Sequence, residues 1–584
     1  MSIIKELEQK IKKLVNNAGY ELDNIVLESS SRPDLGDFQL NDAMKLAKIY
    51  HESPHAIAEK ITASLRTDST FTNVNIAGPG FINLSLSDHF LTESMNKISE
   101  DINNNIDKMD PKNIFMDYGG ANIAKTLHVG HLRSANIGEA LKRLAQKLGH
   151  HVISDVHFGD IGRQSGMVIS EIKRRNPNLE YFNPNYQGNY DDIEFNITPD
   201  ELGEIYPKAN ILAKNDEKIM AEVVQITADL ENGHPGYKAL WNKIKQVSIE
   251  DITQVYDTLN TTFDLLEGET DCYPYIKEML KYFQDHNYLR ESENALVIDI
   301  ATETDNSPMP PLVVVKSNGA TLYATRELAT LYSRMKRFNP DELWYLADSR
   351  QALYFEQVFR AARKTKIVSD NTKLNFCGFG TMNGPDGKPF KTRDGGVMSL
   401  RELISIINKE TTKRINTSIV TEDKQEQTSS QIAIAALKYA DLIPSRETDY
   451  IFNPESFVSL DGKTGPYLLY STIRMKSLLI NAAKDNLTSF TVTKIKNKSD
   501  KDVILMLLKL PIVLTKAYNQ KSLNEITDYI YRLTSTYNTF YSENKVLSEA
   551  DEELKLSWLS LTNLVYQTNL LILDILAIDI PDKM

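Results

Sequence analysis

Two imidazoles, a lysine and a glycine stand close together in Asn122-Ile123-Ala124-Lys125-Thr126-Leu127-His128-Val129-Gly130-His131. Ring N–H groups can bind phosphate oxygens directly. Gly130 leaves room for a nucleoside to approach the backbone. Lys125 adds a positive charge on the same stretch. If a helix begins at Val129, its first N–H groups and its dipole add to an anion site. Such parts suit the charge that develops when a carboxylate attacks the α-phosphate of ATP.

The flanking residues supply the elements this loop needs. Before it, Asn113-Ile114-Phe115-Met116-Asp117-Tyr118 has the length and apolarity of a buried strand. After it, Ile137, Leu141, Leu144 and Leu148 recur at helical spacing, and Gly149 sits where a helix ends. Val152–Val156 reads as the next strand. Strand, helix and strand within about 45 residues make a βαβ unit, the start of a parallel sheet. Asp117 then closes the first strand at the carboxyl edge, where open α/β sheets bind ligands, and Asn122 follows on the loop. Tyr323 and Glu327 are four apart in a helical segment and share a face. Gln351 opens another helix after a strand. Carboxylates and planar acceptors of this kind suit a guanidinium.

The chain has 584 residues, a formal net charge of −13 and only two cysteines, Cys272 and Cys377. A disulfide framework and a cysteine-rich zinc site are excluded. The longest obvious apolar run, Val503–Leu508, is far short of the ~20 residues that span a bilayer, and the amphipathic start MSIIKELEQKIKKL has no signal-peptide core. The expectation is a cytoplasmic, multidomain enzyme with no membrane contact. Residues 1–108 read as a small mixed α and β unit. Residues 109–430 read as the α/β domain, with a polar insertion at about 175–260 and strand-like runs at 295–300, 312–316 and 343–347. Residues 431–584 read as a helical bundle. Residues 471–500 carry six Lys/Arg against two Asp/Glu, which is either a solvated face or a local basic surface on an acidic protein.

The HVGH string resembles the HIGH motif of class I aminoacyl-tRNA synthetases, and MDYGGANIAKTLHVGHLRSANIG resembles arginyl-tRNA synthetases in particular. HFGDIGRQSG, LYATRELA, YLADSRQALYFEQVF, GPDGKPFKTRDGG, YADLIPSRETDYIF and DGKTGPYLLYSTIR follow in the same order as in that family. GDFQLNDAMKLAK and AGPGFINL resemble its extra N-terminal domain. The insertion is the weakest stretch. The resemblance implies a Rossmann-type catalytic domain, a small N-terminal domain contacting the tRNA elbow and an all-α anticodon-binding bundle. It implies an arginine–tRNA ligase using ATP with Mg²⁺, tRNA(Arg) and L-arginine, with no zinc or organic cofactor, acting as a monomer.

The resemblance also assigns residues. Lys125, His128, Gly130 and His131 would serve ATP, with Lys391, Thr392 and Arg393 on a loop standing where the family has KMSKS. Asp117, Asn122, Tyr323, Glu327 and Gln351 would hold arginine. Phe38 and Gln39 would meet the tRNA elbow, and Tyr467, Tyr470, Arg474 and Met584 the anticodon. A tyrosine stripe at helical spacing is equally the mark of a packed core. Three departures stand out: Glu327 where the family usually has Asp, Gly119-Gly120-Ala121 where it has Ser/Pro-containing versions, and Ile161 where Trp is common.

Overall fold

In the computed structural model, Lys373–Phe376, Glu342–Tyr345, Asn113–Asp117 and His151–Asp155 lie side by side in that order, all parallel. The description covers every residue except 31, 33, 306, 308, 318–320, 385, 389–397, 415–418 and 488–490. The two central strands are buried almost throughout, as parallel strands covered on both faces must be. Leaving Asn113–Asp117, the chain crosses first to His151–Asp155 on one side and later to Glu342–Tyr345 on the other. The carboxyl ends of Asn113–Asp117 and Glu342–Tyr345 therefore flank a topological switch point, where such sheets form a ligand crevice.

Val129–Lys147 is the first crossover helix and is buried over most of its surface. It closes at Gly149, with His150 N–H donating to Ala145 C=O at 3.1 Å and Gly149 N–H donating to Gln146 C=O at 3.0 Å. Of the three strand-like runs expected after the insertion, only the third joins this sheet. Ala295–Ile298 and Leu312–Val315 pair antiparallel with each other, and Arg290–Ser292 completes their small sheet. Lys373–Phe376, too short and polar to announce itself, supplies the parallel edge instead.

The insertion is helical. Pro199–Asn215, Glu217–Glu231 and Pro235–Thr258 pack around Arg163–Arg175, burying Met167, Ala209, Ala213 and Val223 together. These elements belong to one compact unit, residues 110–410 with 444–455.

The other unit joins residues 1–109 to 411–443 and 456–584. Its N-terminal part has a four-stranded antiparallel sheet, ordered Glu28–Ser29, Phe38–Leu40, Phe81–Leu86, Phe71–Ala77. Its C-terminal part is a bundle built from Glu422–Leu442, Gly465–Lys484, Lys498–Leu508, Leu510–Gln520, Asn524–Glu543 and Glu552–Ile575. The two parts are bonded to each other: the buried Asn105 side-chain amide donates to Leu507 C=O at 2.8 Å, and Asn96 exchanges two hydrogen bonds with Val492. The boundary expected at 430/431 falls inside the Glu422–Leu442 helix, which lies wholly in this unit.

Candidate active site

His128 is the N-cap of the Val129–Lys147 helix. Its Nδ1 accepts Gly130 N–H at 3.1 Å, and His131 Nδ1 accepts His128 N–H at 3.0 Å. The rings lie 3.9 Å apart between centroids. A nitrogen that accepts a backbone N–H carries no proton, so both neutral rings hold theirs on Nε2. Burial lowers the pKa of both. His131 is 8% exposed and is pushed down to about 3, with the neighbouring His128 and Lys125 adding to the shift. The motif therefore presents neutral imidazoles at a helix N-terminus throughout the physiological range. A Cβ at Gly130 would lie 2.9 Å from His128 Cε1, so the missing side chain makes room for the capping imidazole.

At the switch point, Asp117, Asp155 and Tyr345 stand in register on three neighbouring strands. The Arg334 guanidinium, 1% exposed, joins all three: 2.7 Å to Asp117 Oδ2, 2.8 Å to Asp155 Oδ2 and 3.0 Å to Tyr345 Oη. His157 Nδ1 lies 3.6 Å from Asp155. Burial opposes the charge on His157, but the Asp155 carboxylate, with Asp117 and Glu327, outweighs it and lifts the pKa to about 9. Arg334 and His157 thus balance two of the three carboxylates Asp117, Asp155 and Glu327.

Glu327 is the one left over. Its Oε1 is buried without a hydrogen-bond partner, and burial raises its pKa against the pull of His157 and Arg334. Nearby, Glu269 pairs with Arg326 at 2.9 Å, and the Arg326 guanidinium lies 4.5 Å from the Tyr323 ring centroid. Tyr323 is 62% exposed at the start of its helix. Asn122 bridges to Gly159. Gln351 is exposed and caps the Ala352–Lys364 helix. Asp117 was expected to meet a ligand guanidinium, yet one of its oxygens already binds the protein's own. Sequence reasoning missed Arg334, Asp155, His157 and Glu269. The first two had a signal: Arg334 follows Glu327 by seven residues on the same helix face, and Asp155 ends its strand as Asp117 does.

Lys391, Thr392 and Arg393 lie outside the described residues. Among the described residues no group of three or more His, Cys, Asp or Glu is placed to hold a metal ion, and no helix is long and apolar enough to cross a membrane.

In the other unit, Phe38 is fully buried between its strand neighbours and presents no surface to a partner, so it is a core residue. Gln39, on the opposite face, is half-buried and donates to Asn41 at 2.7 Å. The stripe on Gly465–Lys484 divides. Tyr467 Oη is engaged by Asn538 at 2.8 Å, whereas Tyr470 is 47% exposed and Arg474 is exposed with its guanidinium 4.2 Å from the Tyr541 ring centroid. Tyr470 and Met584 line a cavity of about 240 Å³ with Arg414, Ile432 and Pro466. The basic run at 471–500 is largely spent internally: Lys476, Lys494, Lys496 and Lys498 all pair with carboxylates.

A parallel sheet whose switch-point crevice faces a strand–loop–helix carrying paired imidazoles has the architecture of a class I aminoacyl-tRNA synthetase. Three family models cover the chain: "tRNA synthetases class I (R), catalytic domain" at 94–454, "Arginyl tRNA synthetase N terminal domain" at 1–86, and "DALR anticodon binding domain" at 468–584. The arginine–tRNA ligase of Alkaliphilus oremlandii is 42% identical over 585 residues, and that of Agathobacter rectalis 42% over 600, each covering both chains completely. Solved arginyl-tRNA synthetases from Thermus thermophilus (TM-score 0.81, 19% identity) and Plasmodium falciparum (TM-score 0.79, 24% identity) share the fold over the full length of both chains. The chain belongs to the arginyl-tRNA synthetase family.

Proposed function

We propose that the chain ligates arginine to tRNA(Arg) through the residues gathered at the switch point. The arginine carboxylate attacks the α-phosphate of ATP in line, forming the acyl–phosphate bond of arginyl-adenylate as pyrophosphate leaves. A hydroxyl of the terminal tRNA ribose then attacks the acyl carbon, and AMP leaves. No side chain needs to form a covalent bond, so positioning and charge stabilisation carry the rate.

The observation that carries this reading is the pair of neutral imidazoles, protonated on Nε2, at the start of the Val129–Lys147 helix. His128, the exposed ring of the pair, donates to a phosphate oxygen, His131 holds it in place through the His128 N–H, and Lys125 supplies the charge. Glu327, the carboxylate left unbalanced in its cluster, takes the arginine guanidinium with Tyr323 beside it. Asp117, oriented by Arg334, and Asn122 take the α-ammonium. Gln351 stands at the same edge of the sheet. Lys391, Thr392 and Arg393 act on the triphosphate. Mg²⁺ arrives with ATP and needs few protein ligands; no zinc or organic cofactor enters the reaction. Tyr470, Arg474 and Met584 receive an anticodon base, for which stacking on an aromatic ring is the usual means, and Gln39 is the remaining candidate at the tRNA elbow. The enzyme works in the cytoplasm as a monomer.

Pyrophosphate exchange into ATP tests this. Exchange should require arginine and be supported by cognate tRNA, with lysine and glutamate inactive. No exchange under any condition, with tRNA binding retained, would mean a tRNA-binding relative without catalysis.

A further inference from the structure

We infer that the helical insertion is a working part of the nucleotide site: Tyr206 is a positioning residue that holds Lys125 where the triphosphate will lie. The inference rests on Lys125 being a phosphate ligand. The loop that carries it is built against the insertion at three points. Ala124 turns with φ 58, a left-handed conformation that non-glycine residues adopt only where the surroundings hold them. Its N–H donates to Ser248 Oγ at 3.0 Å, and Ser248, on Pro235–Thr258, donates onward to Ile244 C=O at 2.8 Å. On Pro199–Asn215, a Cβ at Gly203 would lie 2.9 Å from Thr126 Oγ1, so a larger residue there would push the Thr126 side chain aside. One turn further on, the Tyr206 ring sits 4.5 Å from Lys125 Nζ.

The ring is itself fixed, since it packs against the buried Met167, Ala209, Ala213 and Val223. Among the described residues no carboxylate pairs with Lys125. This matters chemically. A carboxylate would hold the ammonium but cancel its charge, and would then compete with an incoming phosphate. An aromatic face attracts the ammonium through its quadrupole and leaves the full charge for the anion. Holding a flexible four-carbon side chain before ATP binds also removes an ordering cost from the binding step. The bland alternative is that Lys125 simply lays its methylenes across an apolar surface, in which case any side chain of similar bulk would serve.

Four variants of the full chain separate these readings: Tyr206→Phe, Tyr206→Leu, Lys125→Met and the Tyr206→Leu/Lys125→Met double variant. Each is assayed by pyrophosphate exchange with tRNA and arginine present, with thermal melting as a control for folding. Tyr206→Leu should lower kcat/KM for ATP by about three- to thirty-fold while leaving the KM for arginine unchanged. Tyr206→Phe keeps the ring face and should restore the ATP dependence that Leu loses. In the Lys125→Met background, Tyr206→Leu should add nothing. An ATP dependence unmoved by Tyr206→Leu, with Lys125→Met impaired, would overturn the positioning role and leave Lys125 as a ligand. An undiminished effect of Tyr206→Leu in the Lys125→Met background would mean that the ring acts through the fold. An unchanged ATP dependence in Lys125→Met would remove the reading of Lys125 itself, and the proposal with it.

Discussion

Glu327 shows how much a single side chain's surroundings decide. Its helix neighbour Arg334 and the charged His157 together balance Asp117 and Asp155, so the excess negative charge collects on Glu327. A carboxyl whose Oε1 is buried without a donor holds its proton more firmly than usual, and its pKa is raised above the ordinary 4.5. The sign of the consequence is fixed. The guanidinium needs the ionised form, which exists above the raised pKa and is lost as pH falls through it. The KM for arginine should therefore fall as pH rises along an acid limb lying above pH 4.5, and Glu327→Gln should flatten that limb. At neutral pH the same variant should raise the KM by about ten- to one-hundred-fold, as expected for losing a charged hydrogen bond. His131 contributes no such limb, because burial pushes its pKa down to about 3. A pH-independent KM in the parent enzyme would show that Glu327 does not meet the guanidinium.

At the scale of elements, the same arginine is a tie between a helix and three strands. Asp117, Asp155 and Tyr345 share one row of the sheet, and the Tyr323–Phe338 helix lowers Arg334 onto all of them. Arg334→Met would take the guanidinium from the buried Asp155 and the half-buried Asp117. Breaking a buried pair in this way costs about 3–5 kcal/mol, so urea unfolding should lose roughly that much. A loss below about 1 kcal/mol would show that the carboxylates take up protons or water without penalty. Only part of this was legible in the sequence, where Arg334 and Asp155 stand out by helix spacing and strand end, and the reason is physical. HVGH, the strand before it and the Gly149 stop are local features, written in consecutive residues. The row of Asp117, Asp155 and Tyr345 comes from register between strands separated by long stretches of chain. Phe38-Gln39-Leu40 alternates inward and outward, which is enough to place Phe38 in the core. Ala295–Ile298 and Leu312–Val315 were recognisable as strands, but their β-rich composition does not say which sheet they join.

At the scale of the whole molecule, the residues proposed for chemistry and those proposed for recognition fall in different compact units. The imidazoles, Lys125 and the Glu327 cluster lie in residues 110–410, while Tyr470, Arg474 and Met584 lie with the N-terminal part in the other unit. The second unit is itself joined from distant parts of the chain, as the buried Asn105–Leu507 hydrogen bond shows. Ligands should then stabilise the units selectively, because a ligand raises the stability only of the structure that binds it. At about one hundred times its Kd the gain is about 2.7 kcal/mol, worth several degrees in a unit of this size. In scanning calorimetry, ATP–Mg²⁺ with arginine should raise the transition of the 110–410 unit and leave the other in place, whereas an anticodon stem-loop should move only the second. A transition that responds to the stem-loop and to ATP–Mg²⁺ by equal amounts would show that the units unfold as one, and that the two activities share a single cooperative structure.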